Sequence, residues 1–205
     1  LWLGIAQGTF SVPDLMTKYF RYIDALPEDK LLMGYWPSMR GGDQLYSILW
    51  LYNRIGEPWL LELAHKTHRR TARWDTVTET PRKQLPNWHN VNIAQAFREP
   101  TTYWMLSNQP AERDGSLRAW SKVRELYGQV PGGMFGADEN ARPDHTGPRQ
   151  AIETCGIAEE MLSDGILASV TGDPLWAERC ENVAFNTFPA AFTADWKALR
   201  YLTAP

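Results

Sequence analysis

The sequence predicts an all-α fold, a toroid, barrel or solenoid of αα-hairpins. Three observations predict it. Apolar residues recur at three- and four-residue intervals along most of the chain. A Gly/Asx/Pro punctuation returns between the periodic stretches, as in short helix–helix turns. No convincing alternating strand interrupts the pattern, although GQVPGGMFG suggests a short extended piece.

The elements follow in order. LWLGIAQGTF reads as the interior of a helix, without the basic leader or cleavage-like end of a signal peptide. RGGDQ (40–44) precedes LYSILWLYNRI, which places Leu45, Ile48, Leu49 and Tyr52 on one face. Gly56 suits the end of that helix, and Pro58 suits the first position of WLLELAHKTHRRTARW. There His65 and His68, beside Arg69 and Arg70, are expected on a solvated face. DTVTETPRKQLPNW (75–88) reads as a long polar loop, a place where function often resides. VNIAQAFREPTTYWML is helical, with Pro100 expected to kink or end it. Asn108-Gln109-Pro110 and Gly172-Asp173-Pro174 repeat the turn, with Asp173 as an N-cap. Three to four diverged hairpins fit this length. A closed toroid needs more, so residues 1–205 are expected to be part of a longer protein.

Composition narrows the function. A chain of 205 residues can bury a sizeable core, and 43% hydrophobic with 22% charged residues is ordinary for a globular protein. A formal net charge of −3 argues against a nucleic-acid surface. No apolar run approaches a membrane span. Two cysteines, Cys155 and Cys180, make no disulfide framework and favour a reduced, cytoplasmic setting. Ten tryptophans and eight tyrosines fit core packing, or else a cleft where flat rings stack on sugar faces. The residues do not settle the oligomeric state.

One stretch, GGMFGADENARPDHTGPRQAIETC (132–155), concentrates ionisable chemistry. Asp138 and Glu139 follow a glycine-rich turn, and Glu153 follows Glu139 by fourteen residues. Glycoside hydrolysis needs such a pair, one carboxyl to protonate the leaving oxygen and one to attack or activate water. Spacing alone favours the simpler account of two solvated loop carboxylates. Cys155 opens the next helix, where a thiol is acidified and can bind metal or attack an electrophile. It could equally be a buried free cysteine. Trp88-His89-Asn90 stands where the long loop enters a helix. His89 there could bind a sugar hydroxyl or move a proton, or the cluster could simply cap the helix through Asn90 or Asn92. Arg40 could orient an anion. Cys180 is expected in the core.

RGGDQLYSILWLYNRIGEPWLLELAHK, WHNVNIAQAF, GGMFGADEN, AIETCGIAEEML and TGDPLWAERCENVAFNTFPAAF occur in this order. Together they resemble the β-L-arabinofuranosidase family, glycoside hydrolase family 127 and its relatives, over roughly residues 31–205. The resemblance implies a six-hairpin (α/α) barrel, of which this chain is part of one catalytic domain. The rest of the barrel and the β-sandwich regions would lie outside it. It implies a retaining hydrolase of carbohydrate, with Glu139 as general acid/base. Glu153 and Cys155 match residues that help bind zinc, and His89 matches an active-site histidine. With Arg40, Trp88 and Asp138, His89 is expected to hold substrate. The family's nucleophile, a zinc-bound cysteine, belongs to a later stretch. Gly42 stands where characterised arabinofuranosidases tend to carry histidine, and the loop from Glu139 to Glu153 is shorter, so the sugar stays open. Two other readings also stay open: a metal-free carboxylate pair, and a non-catalytic carbohydrate-binding scaffold.

Overall fold

Gly56 and Gly172 both end their helices in the left-handed conformation, at φ 69° each. A residue with a Cβ is strained there, which is why glycine marks these turns. The computed structural model describes residues 11–77, 88–142 and 144–204. The expected N-terminal helix interior (1–10) and most of the polar loop, 78–87, lie outside those residues. Two units, Leu1–Thr71 and Ala72–Pro205, divide the chain.

In the first unit, α1 (Val12–Asp24) starts on the Ser11 hydroxyl, which accepts from the Asp14 amide at 3.4 Å. After the short α2 (Tyr35–Met39), α3 (Gly41–Ile55) and α4 (Trp59–Arg70) form a hairpin. The expected face of α3 is buried at Leu45, Ile48 and Leu49, and α4 buries Leu60, Leu63 and Ala64. Each fully buried leucine or isoleucine contributes about 1.5–3 kcal/mol of transfer free energy. Pro58 stands one position before α4 rather than inside it. His68 is buried, against the expected solvated face, because it falls one turn after Ala64 on the apolar side. Arg40 lies between α2 and α3, with its guanidinium 5.0 Å from the centre of the Trp36 ring.

In the second unit, α5 (Asn90–Ala96) and α6 (Glu99–Ser107) break as Pro100 demands, with Pro100 in the first turn of α6. Then come α7 (Pro110–Arg113), α8 (Gly115–Tyr127), α9 (Thr154–Thr171) and α10 (Pro174–Asn182). Asn108 turns left-handed at φ 55°, and Asp173 caps α10 by accepting from the Leu175 amide at 2.9 Å. The central helix is α9, packed on α5, α6 and α10. Two of its buried polar groups are answered from its neighbours. Arg98 Nη1 donates to Ser163 Oγ at 2.7 Å, and Arg124 Nη2 donates to Glu160 Oε1 at 2.8 Å. Cys180 is half-buried and its thiol faces the Met161 carbonyl. Among the described residues no helix is long and apolar enough to cross a membrane.

Short extended segments gather at the start of α9. β1 (Ile152–Glu153) pairs antiparallel with β2 (Leu202–Thr203). On its other side Ile152 bridges to Ala137, and one step further Asn140 bridges to His89. The extended piece expected in GQVPGGMFG is the bridge between Gln129 and Phe135. Two-residue strands are too short to leave an alternating pattern in sequence, so the rest of this pairing had no signature.

Candidate active site

Glu139 and Glu153 meet at one hydroxyl. Tyr201 Oη lies 2.8 Å from Glu139 Oε1 and 2.9 Å from Glu153 Oε1. Local pairing explains why. The Glu153 amide donates to the Ala137 carbonyl at 3.0 Å, setting GADEN beside β1. The Thr154 amide donates to the Tyr201 carbonyl at 3.0 Å, setting the start of β2 on its other side. Three stretches distant in sequence thus become neighbours. The two carboxylates hold the Tyr201 phenol well above its ordinary range, the bond to Glu139 being the larger cause. Tyr201 therefore keeps its proton, which the expectations from sequence had not weighed at all. Only a tyrosine in the short β-prone run RYLT hinted at it.

Glu139 is exposed, whereas Glu153 is 2% exposed with its Oε2 buried and unbonded. Cys155 stands at the second position of α9 and is exposed, so it is not the buried free cysteine. Its thiol is not acidified either: partial burial and then the Glu153 carboxylate push it up, outweighing the bond from its own backbone amide. Asp138 is bonded to its own segment, at Asn140 and Arg142. Burial works against its charge, but the Asn140 amide at 2.9 Å and the Arg142 guanidinium at 2.9 Å hold it below the usual carboxylate range.

His89 and Trp88 are brought to the same edge. The Ala141 amide donates to the Trp88 carbonyl at 2.6 Å, and the Asn90 amide to the Glu139 carbonyl at 3.1 Å. Trp88 is 51% exposed, with its ring 6.2 Å from that of His89. His89, not Asn90 or Asn92, occupies the cap position of α5, and no side chain caps it. Arg40 belongs to the first unit.

A pocket of about 360 Å³ opens here, lined by Asp138, Glu139, Asn140, Arg142, Tyr201 and Leu202. A larger one of about 620 Å³ is lined by Ile152, Thr203, Gly132, Phe185 and Thr187 among others, with no ionisable side chain. Of these two, the smaller is the one lined by ionisable side chains. Among the described residues no three His, Cys, Asp or Glu side chains gather to hold a metal. Glu153 and Cys155 are adjacent donors, and the unbonded Glu153 Oε2 fits a cation better than it fits a hydrophobic contact.

Residues 6–205 match the GH127 catalytic domain of the β-L-arabinofuranosidase family. The chain belongs to this family. A solved structure of a glycoside hydrolase shares a fold with it at a TM-score of 0.59 and 18% identity, covering 78% of this chain and 31% of that one. The chain thus spans about a third of the length of that relative. No curated protein matches it. Mostly helical, with one two-stranded sheet among the described residues, it is a portion of the GH127 helical barrel.

Proposed function

We propose that the protein is a retaining glycoside hydrolase acting on a carbohydrate substrate, with residues 1–205 forming part of its catalytic domain. Glu139 protonates the leaving glycosidic oxygen and then takes a proton from water in the second step. The observation that carries this is the Tyr201 bridge between Glu139 and Glu153. A phenol has one proton to donate. Held between two carboxyl oxygens, that one donor brings a carboxyl pair together, as glycoside hydrolysis needs. Glu139 is the exposed member, so it is the one that meets substrate.

Glu153 and Cys155 would supply two donors to a zinc ion, completed by ligands beyond this chain. Such an ion, when bound, acidifies a coordinating thiol and fixes its position. Trp88 offers a ring face to the sugar, while His89 and Asp138 offer polar groups to its hydroxyls.

The Tyr201 bridge also supports a second reading, a metal-free carboxylate pair. Two bonds of 2.8 and 2.9 Å through one oxygen fit the roughly 5–5.5 Å separation of a retaining pair rather than the roughly 6.5–9.5 Å of an inverting one. A non-catalytic scaffold is disfavoured, because it gives no reason for Glu139 and Glu153 to share a proton donor. The test common to both catalytic readings is Glu139→Gln in the full-length protein, assayed on a panel of nitrophenyl glycosides that includes the β-L-arabinofuranoside. Turnover should fall by about 10²–10⁴ with the fold intact. Activity near that of the unaltered enzyme would remove Glu139 from this role.

A further inference from the structure

We propose that Asn90, seated in the space left by Gly156, is the positioning residue for Glu139. This rests on the reading of Glu139 as acid/base. Glu139 itself is exposed, so beyond the Tyr201 hydroxyl its side chain is not held by packing, and its aim depends also on its backbone. Besides the bonds to Glu153 and Trp88, Asn90 holds that backbone at two points. Asn90 Nδ2 donates to the Ala137 carbonyl at 2.8 Å, and the Asn90 amide donates to the Glu139 carbonyl at 3.1 Å. The two bonds take the carbonyls on either side of Asp138. They leave the segment little freedom to rotate about the peptides that carry the acid.

Asn90 is 0% exposed and does not do what an asparagine at a helix start ordinarily does. It is the first residue of α5 rather than its cap, and its amide group is directed across to another segment. Its Oδ1 is buried with no hydrogen-bond partner, a cost that a purely structural role does not explain. The room for this side chain comes from Gly156 in the first turn of α9. A Cβ there would overlap Asn90 Oδ1 and crowd its Cγ. Gly156 has no need of a left-handed backbone, since it is helical, so its requirement is steric. One asparagine and one glycine therefore tie the starts of α5 and α9 to GADEN.

The test uses the full-length enzyme with Asn90→Asp, Asn90→Ala, Gly156→Ala and the Asn90→Ala/Gly156→Ala pair. Asn90→Asp keeps the shape and the backbone bond, but sets a carboxyl oxygen, with its charge, against the Ala137 carbonyl in place of the donated N–H. It carries the test if the alanine variants do not fold. With 4-nitrophenyl β-L-arabinofuranoside, kcat should fall about 10- to 100-fold while KM stays within about twofold, as for a misplaced catalytic group. Hydrogen exchange at 137–141 should quicken at least about tenfold, with the α9 core unchanged. The double variant should lose no more than the worse single one, because both remove the same contact. Unchanged exchange at 137–141 in folded Asn90→Asp overturns the proposal whatever the substrate, as do additive losses in the double variant. Glu139→Gln run alongside separates the two ideas. If it keeps its activity, the acid/base reading falls; if it loses it and Asn90→Asp does not, only the positioning role falls.

Discussion

The phenol of Tyr201 reaches Glu139 across 62 residues of sequence and stands 2.8 Å from its carboxylate. The same oxygen serves Glu153 at 2.9 Å. Tyr201→Phe removes the shared proton and leaves the ring. It should lower kcat about 10- to 100-fold, in line with the loss of a hydrogen bond of about 1.5–3 kcal/mol to a charged group. Since Tyr201 is exposed, its unfolding free energy should stay within about 0.5 kcal/mol. Steady-state kinetics and denaturant titration on the same preparation decide it, and an active Phe variant would count against the shared-proton arrangement.

Arg124 and Glu160 form a buried ion pair at 2.8 Å, and Arg124 also donates to the Gly133 carbonyl at 2.9 Å. Burial lowers the Arg124 pKa, and Glu160 works against that shift. Glu160→Gln leaves the guanidinium without its counter-charge. Removing one partner of such a pair costs about 3–5 kcal/mol. Chemical denaturation should show that loss, and a change below about 1 kcal/mol would mean the pair is screened.

Asp164 is 0% exposed on α9, and both its oxygens lack a hydrogen-bond partner. Burial first, then the Glu160 carboxylate, pushes it up to about 9 from an ordinary 3.8. Its folded value lies above its unfolded one. Its contribution to stability is therefore complete below about pH 4 and is lost as pH rises toward about 9. Unfolding midpoints measured from pH 5 to 9 should decline in the unaltered protein and flatten in Asp164→Asn. Parallel slopes in the two proteins would assign the pH dependence elsewhere.

Cys155→Ser and Glu153→Gln probe the metal. If both residues ligate zinc in the full-length protein, each should lower its zinc affinity by at least about 10- to 100-fold, as read by competition with a chelator. Full-length protein that never holds stoichiometric zinc would leave the carboxylate pair as the catalytic reading.

Parts of this molecule were legible in the residues. Gly56, Gly172 and Asp173 mark helix ends because a positive φ and an orphan backbone N–H are local problems with local solutions. Pro100 breaks a helix for the same kind of reason. The hydrophobic face of α3 is likewise a short-range periodicity. His68 shows where that reasoning stopped. Its charged neighbours suggested solvent, while its place on the helical wheel buried it.

The sequence by itself determined the helical hairpins, their turns, the family and the two glutamates with chemistry to offer. Tertiary structure decided that Glu139 and Glu153 share Tyr201, that Cys155 is exposed beside a carboxylate that holds its proton on, and that Asn90 grips GADEN instead of capping α5. The physical reason is range. A cap or a turn is satisfied within four residues and so leaves a pattern in sequence. A hydroxyl of residue 201 lies between residues 139 and 153 only after β1 and β2 have paired, and two-residue strands leave no pattern to read.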